Sequence, residues 1–359
     1  MDIKRAQLHG YELTEKEIEA LTREALYEIE QAYEDISQRL EKLYAQYSSA
    51  SGSQELYEWV TSYNRYKALQ SDLSDILRKR YKNVERNATE AVKLGMANNY
   101  YRQAFMFQFA EVPLRLSALN EDLIDFALAG QTDTWKRISR SAREKYGSLD
   151  LWEPQAGSLS RLIKDNRDDE LKQIRRAINS GLITGDSYAS VREKVADIMG
   201  ISAYKQGDKG AKAAIERIVR TEGNRALNAG NYANAREAAS QGISIERTWD
   251  ASLDSRTRPE HARMDGKSAG IDEPFVFPQG WTAMFPGTVR TGSYRNDARM
   301  NINCRCTVAE SANGFKPSLR RGKNPVTGKY EVFTYKTFDQ WAAEKGLKRN
   351  KYGRLYKDE

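Results

Sequence analysis

Both cysteines of the 359-residue chain, Cys304 and Cys306, stand one residue apart in the stretch NINCRC. A disulfide between them would close a very small ring, in which the required Cα separation and S–S torsion are hard to reach without strain. Two chemistries remain. The thiols can pack as small apolar groups in a core, or they can supply half of a tetrahedral metal site. If CRCTV is a strand, alternation puts both sulfurs on one face and Arg305 on the other. The chain has only two histidines, His9 and His261. His261 lies in DSRTRPEHARMDG, which begins with an N-cap-like Asp254. His261, Cys304 and Cys306 therefore form a candidate metal set, with Asp254 or Asp265 as fourth ligand and zinc as the matching cofactor. The competing arrangement is a hydrogen-bonded knot of His261, Asp250, Asp254 and nearby arginines, with the cysteines packed beside it.

Two histidines are too few for a His-Asn-His nuclease or a multi-histidine metalloenzyme. A Ser-His-Asp triad would have to use His261 or the near-terminal His9. An enzyme reading survives in one form, a nuclease or toxin using Asp250, Asp254, Glu222 and His261 with a metal for phosphodiester cleavage. Glu222 is the unusual member. It falls in the middle of a helical face formed by Ile215, Ile218, Val219, Ala226, Ala229 and Ala233, and a buried carboxylate needs a cation or several hydrogen bonds. Arg220 projects to the opposite side. The expected partner is an arginine or backbone groups of the later segment Trp249 to Cys306, which makes Glu222 a structural buried acid rather than a catalytic one.

Charge adds a second candidate surface. The net charge is +7, and residues 313–359 carry twelve Lys/Arg against five Asp/Glu, so the excess lies in this tail. Such asymmetry suggests a polyanionic neighbour. Lys345, Lys348, Arg349, Lys351, Arg354 and Lys357, with Tyr330, Phe333, Tyr335, Trp341, Tyr352 and Tyr356 among the cations, are candidate contacts to nucleic-acid phosphates. A solvated tail, or one lying on an acidic protein surface, is the plain alternative. The start MDIKRAQLHG is charged and shows no signal peptide, the cysteine usage suits a reducing compartment, and no run is long and apolar enough for a membrane span.

These residues need elements to hold them. Thr14 and Glu17 read as a capping box opening a long helix, continued by Ile18, Leu21, Ala25, Ile29, Ala32, Ile36, Leu40 and Leu43 and ended by SSASGS (Ser48 to Ser53). Further helices are expected from Gln54 to Gln108 and from Leu116 to Tyr146. A boundary follows in YGSLDLWEPQAGSLS. Leu171, Ile174, Ile178 and Leu182 mark the next helix, with Gly181 as its C-terminal cap. Asp186 and Ser187 cap a short helix closed by Gly200. A third helix runs from near Asp208 to about Ser240 and carries Glu222. After Gly242 the pattern changes: ISIERTW, FVF, CRCTV and KYEVFTY read as strands between long loops, and TFDQWAAEKG as a short helix. The fold class is mainly α with a small α+β domain: a long helical N-terminal region, then three helices and a small sheet with long loops.

The order IVRTEGNRALNAG (Ile218 to Gly230), TWDASLDSRTRPEHARMDG (Thr248 to Gly266) and NINCRCTV (Asn301 to Val308) resembles the head morphogenesis domain of tailed bacteriophages, the Mu F-like minor head protein family. Flanking stretches, GLITGDSYASVREKVADIMG and NPVTGKYEVFTYKTFDQW, are similar to the helices before that domain and the tail after it. Many members carry C-x-x-C where this chain has Arg258 and His261, and H-P-x-C-R-C where it has Asn301 to Cys306. Arg258 thus stands for a cysteine and Asn301 for a histidine. The resemblance implies a non-enzymatic minor head protein of the virion, at the portal vertex inside the capsid, assembled in the host cytoplasm, and acting in head morphogenesis and DNA delivery. It implies the portal protein as partner, with packaged double-stranded DNA bound non-specifically and the scaffold or major capsid protein as further partners. A stand-alone nucleic-acid-binding module is the remaining alternative. The implied organisation is a helical docking region at 1–155, the Mu F-like domain at 156–312 and a basic tail at 313–359.

Overall fold

The computed structural model describes residues 3–50, 56–61, 64–115, 159–201, 210–316, 318–323, 330–349 and 355–357. The helix expected from Leu116 to Tyr146, and most of the Gly/Pro/Ser stretch after it, lie outside the described residues. The chain divides into two compact units: Glu19–Ala91 with Ala156–Arg220, and Met1–Ile18 with Val92–Gln155 and Thr221–Glu359. One of these divisions falls between Gln155 and Ala156 and none falls between residues 312 and 313, and each unit gathers separate stretches of chain because it is assembled from packed faces and not from consecutive sequence.

The first unit is helical. Helix α1 spans Ile3–Ala50, and its residues from Glu19 onward belong to this unit. It starts well before Thr14, so that residue lies inside the helix and the capping-box expectation fails. The apolar stripe holds from Ala25 onward: Ala25, Ile29, Ala32, Ile36, Leu40 and Leu43 are all buried. Short α2 (Leu56–Thr61) follows, then α3 (Arg65–Phe109). In this unit α3 buries Leu69, Leu73, Leu77, Tyr81, Val84 and Ala88, and α4 (Leu159–Thr184) buries Leu159, Ile163, Ile174, Ile178 and Leu182. Gly181 is not the cap of α4. It lies within the helix, where a Cβ would come 2.5 Å from Val191 of α5 (Tyr188–Met199), so its smallness lets the two helices touch. Ser187 caps α5 as expected, accepting from the Ser190 N–H, and Gly200 closes it.

Arginines tie the apolar stripes together. Arg80 of α3 reaches Asp35 at 2.8 Å and Glu28 at 3.3 Å on α1, and Arg39 meets Asp72 at 2.5 Å. Among the described residues of this unit one acid is buried: Glu170 of α4 bonds to the Tyr81 hydroxyl, which also lies 3.0 Å from Asn166 Oδ1. Burial raises Glu170 to about 8. In the protonated state it can donate to Tyr81, which then donates onward to Asn166.

The second unit is built on α6 (Gly210–Ser240), from Thr221 onward, and a three-stranded antiparallel sheet of order β2-β1-β5. The strands are β1 (Ile245–Asp250), β2 (Ser268–Gly270) and β5 (Thr307–Ala312). Central β1 pairs Trp249 with Val308 and Arg247 with Glu310 on β5. Between β1 and β2 lies α7 (Pro259–Met264); β3 (Phe275–Val276), β4 (Thr282–Ala283) and α8 (Tyr294–Asn301) precede β5. The part of α3 in this unit crosses α6 closely. A Cβ on Gly230 would lie 2.3 Å from the Met96 carbonyl, and Asn99 Nδ2 donates to Leu227 O at 2.8 Å.

The segment read as a basic tail is folded where it is described. Strands β6 (Leu319–Lys323) and β7 (Tyr330–Thr334) form a hairpin, α9 (Phe338–Glu344) follows, and β8 (Leu347–Arg349) pairs with β9 (Leu355–Lys357). Helix α9 opens with the capping box Thr337–Gln340, and Phe338 and Trp341 are fully buried. The fold class is as read from the sequence, mainly α with a small sheet part. No helix among the described residues is long and apolar enough to cross a membrane.

Candidate metal centre and its arginine locks

Strand β1 has the sequence I-E-R-T-W-D, and alternation turns Arg247 and Trp249 inward. Trp249 is the hub of an aromatic box. Phe275, Phe277 and His261 meet it edge-on with ring centroids at 5.3, 5.4 and 5.5 Å. His261 rides on the short helix α7. Pro259 sits in that helix's first turn, and Arg258 is the N-cap but makes no side-chain cap bond. Asp254, expected as a cap, is not one.

The cysteines come from the other side. CRCTV is not wholly a strand, since β5 begins only at Thr307. Asn303 adopts φ +54°, a left-handed conformation that asparagine tolerates, and this turn directs the chain inward after α8. Asn301 clasps Val289 at both ends: its Oδ1 accepts Val289 N–H and its Nδ2 donates to Val289 O, each at 2.8 Å. Helix α6 then holds the turn through three polar residues on one face. Thr221 Oγ1 accepts from Asn303 N–H at 3.0 Å, and Asn224 and Asn228 donate to the Cys306 carbonyl at 3.2 and 3.1 Å. The sequence reading missed these three, although their i, i+3, i+7 spacing is a helix-face signal.

Both thiols are buried and free, and both face His261. His261 Nδ1 lies 3.4 Å from Cys306 Sγ and 3.6 Å from Cys304 Sγ. All three ligand atoms fall within 4.8 Å of one another. Zinc bonds of about 2.3 Å to sulfur and 2.0–2.1 Å to nitrogen at tetrahedral angles would put N and S about 3.6 Å apart, so the residues present fit such an ion. A hydrogen bond with Cys306 holds the Cys304 thiol below its ordinary range, helped by the Arg258 and Arg305 charges against burial. Cys306 is pushed well up by that same hydrogen bond, with Cys304, and by burial.

Neither aspartate named as a fourth ligand joins the cluster. Asp254 is forked by Arg305, Nη2 to Oδ1 at 2.8 Å and Nη1 to Oδ2; burial pushes this carboxyl up, but Arg305 holds it below its usual range. Asp265 is forked by Arg320 at 2.5 and 2.8 Å and also accepts Ala251 N–H and Phe338 N–H. Arg320 further reaches Asp250 at 2.7 Å and the carbonyls of Ala251 and Lys336. Burial raises Asp250 to about 6, against the pull of Arg320. Of the polar knot expected as the rival to a metal site, Asp250 and Asp254 do meet arginines, but in two separate pairs, and His261 takes part in neither, lying instead against the two thiols.

Glu222 is buried as expected, but its partner is not in the later segment. Arg225, one turn on in the same helix and equally buried, lies 3.3 Å away. Burial raises the Glu222 carboxyl and Arg225 opposes it. Arg247, a further buried arginine that the reading missed, donates to the carbonyls of Gly270, Glu273 and Met284. Its strand partner Glu310 is pushed well up by burial.

The candidate DNA contacts are spread unevenly. Lys345 pairs with Glu331 at 2.6 Å, and Lys348 is exposed on β8. Arg349 and Lys357 lie in paired strands, and Lys351 and Arg354 lie outside the described residues. Of the interleaved aromatics, Trp341 is buried, while Tyr335 and Phe333 carry Arg320 and Lys336 over their rings at 5.2 and 4.6 Å.

Comparison with known proteins bears out the resemblance. Residues 172–309 match the family described as Phage Mu protein F like protein. The chain is 26% identical over 312 residues to the minor head protein GP7 of Bacillus phage SPP1, covering 87% of this chain and 88% of that protein. It is also 31% identical over 193 residues to the NAD(+)--arginine ADP-ribosyltransferase EFV of Enterococcus faecalis, covering 54% of this chain and 36% of that enzyme's length. No solved structure matches significantly.

Proposed function

We infer that this chain, which carries a Mu F-like region, is a minor head protein of a bacteriophage and resides in the virion. The observation that carries this reading is the extent of the match to the SPP1 minor head protein, which takes in most of both chains. We place it at the portal vertex inside the capsid, where it takes part in head morphogenesis and DNA delivery. The portal protein is the proposed partner, the scaffold or major capsid protein are further ones, and packaged DNA is bound without sequence preference. The test is co-sedimentation of purified protein with portal rings of the same phage. Deleting everything before Trp152 would not isolate the helical contact, because it removes the stretch of α3 that lies against Gly230. Charge reversals on the exposed face of α1, such as Glu24→Lys with Glu34→Lys, leave the stripe intact. They are expected to weaken portal association, and unchanged association would move the contact elsewhere.

The reading includes no catalysis. The acids a nuclease would use are committed to arginines, Glu222 to Arg225, Asp254 to Arg305 and Asp250 to Arg320, and they do not converge with His261 on one point. The similarity to an ADP-ribosyltransferase supplies the direct check. Incubation with NAD and an arginine substrate, and with plasmid DNA and magnesium, is expected to leave both unchanged; turnover of either would replace the structural reading by an enzymatic one.

We further propose that His261 Nδ1, Cys304 and Cys306 hold zinc as a structural ion. Cobalt-loaded protein is expected to show thiolate-to-metal absorption that disappears in a Cys304→Ser, Cys306→Ser variant. Protein that takes up no cobalt would leave the cysteines as core residues.

A further inference from the structure

Folding ties part of the C-terminal charge to acids elsewhere in the chain. In sequence the positive excess sits after residue 312. In the structure two of those cations pair with acids outside the tail, Arg320 with Asp250 and Asp265 and Lys316 with Glu246, while Lys336 and Lys345 pair with the tail's own Glu344 and Glu331. Acids of the Mu F-like region that its own arginines might have satisfied are thereby taken. Those arginines are left in excess on one face, where the segment from Asp254 to Glu260 meets α8 and the turn from Ile302 to Arg305. Arg258 joins the two by donating to Ile302 O at 2.5 Å, and Arg299 joins them by its pair with Glu260 at 2.9 Å. Arg256 and Arg305 share a single carboxylate, that of Asp254.

This face carries four guanidinium groups for two carboxylates. Arg305 already forks Asp254, so Arg256 reaches it only at 3.8 Å and its side chain stays 67% exposed. Arg299 is 61% exposed. A guanidinium has five N–H donors in a planar fork. One edge can hold a protein oxygen while the rest remain turned to solvent, which suits a phosphodiester, whose oxygens match that fork.

We propose that duplex DNA is bound through this arginine face, with Arg256, Arg258, Arg299 and Arg305 on its phosphates, and not through the C-terminal cations. The proposal rests on the reading that the protein meets packaged DNA. The contacts are to the backbone, so they carry no sequence preference, and each phosphate neutralised adds about 0.9 to the slope of log K against log salt.

The experiment is a fluorescence-anisotropy titration of a random-sequence labelled duplex over a range of salt. It uses the full chain and three variants: Arg256→Ala/Arg299→Ala, the charge-keeping Arg256→Lys/Arg299→Lys, and Lys345→Ala/Lys348→Ala. Arg256 and Arg299 are exposed, so an unchanged unfolding midpoint verifies the fold. The alanine pair is expected to lower the salt slope by roughly two, the lysine pair to keep it and the C-terminal pair to change it little. If the unaltered chain does not bind duplex at all, the DNA reading itself fails. If it binds, and the alanine pair keeps the full slope while the C-terminal pair loses it, the arginine face is overturned and the C-terminal segment is the contact. If the alanine pair binds duplex normally but no longer co-sediments with portal rings, the face is overturned as a DNA surface and belongs to an acidic protein partner.

Discussion

The two compact units are held together in different ways. The helical unit follows its apolar spacing. Ala25, Ile29, Ala32, Ile36, Leu40 and Leu43 bury one stripe of α1, and its arginine–carboxylate links are partly exposed ties between helices. The sheet unit has an aromatic box around Trp249, but buried charge surrounds it: Arg225 with Glu222, Arg247 on three carbonyls, Arg320 with two aspartates. An apolar stripe can slide or swap partners at modest cost. A buried fork cannot, because removing one partner strands a charge. The sheet unit has long loops and short strands, so these pairs fix what regular hydrogen bonding does not.

The sharpest way to break this contrast is Arg320→Ala. It strands Asp265 and Asp250 and is expected to cost about 3–5 kcal/mol, read as loss of hydrogen-exchange protection in peptides of β1, α7 and α9. For the same reason a chain ending at Asn313 is not a neutral control for the C-terminal cations: it loses Arg320, Phe338 and Trp341 together. Ile36→Ala is the counterpart in the helical unit, expected to cost about 2–4 kcal/mol and to raise exchange in α1, α3 and α4 peptides. If Arg320→Ala proved milder than Ile36→Ala, buried charge would not be what fixes the sheet unit.

Glu170 is the exception inside the helical unit, and pH tests it. Its folded value near 8 lies above that of an ordinary glutamate, so the folded state binds the extra proton. Its contribution is fully present at acid pH and is lost as pH rises toward about 8, at no more than about 1.4 kcal/mol per pH unit. Glu170→Gln is expected to flatten that fall in urea denaturation curves measured between about pH 4 and about pH 9, a range that spans both values. An unchanged profile would show that Glu170 does not carry it. The smallest expected effect is Asn228→Ala. It removes one of two donors to the Cys306 carbonyl while Asn224 keeps the other, for a loss of about 1 kcal/mol. If the metal proposal holds, the loss should be larger in protein stripped of metal than in loaded protein.

Parts of the sheet unit were legible beforehand. A buried Glu222 followed from its place on an apolar helix face, and the helix Phe338–Glu344 followed from Thr337 and Gln340. Arg225 was not recognised as the partner of Glu222, although i+3 lies on the same helix face, because arginine in a helix is ordinarily solvated. Thr14 and Gly181 were misread for the opposite reason: a local capping signal was taken as decisive where the helix simply continues.

Helix positions and their buried faces were set by the sequence itself, because period-3.6 burial needs only neighbours a few residues away. So were the identities of His261, Cys304 and Cys306 as a candidate ligand set, because so few other ligands of that softness exist in the chain. Which arginine meets which carboxylate was decided by tertiary structure. Arg305 meets Asp254 across 51 residues and Arg320 meets Asp265 across 55, and a guanidinium carries no mark of its partner in sequence. The same pairing ties Arg320 and Lys316 of the basic end to Asp250, Asp265 and Glu246 elsewhere in the chain, while Arg256 and Arg299 near the cysteine turn stay largely exposed, because charge is counted along a sequence but cancels in space.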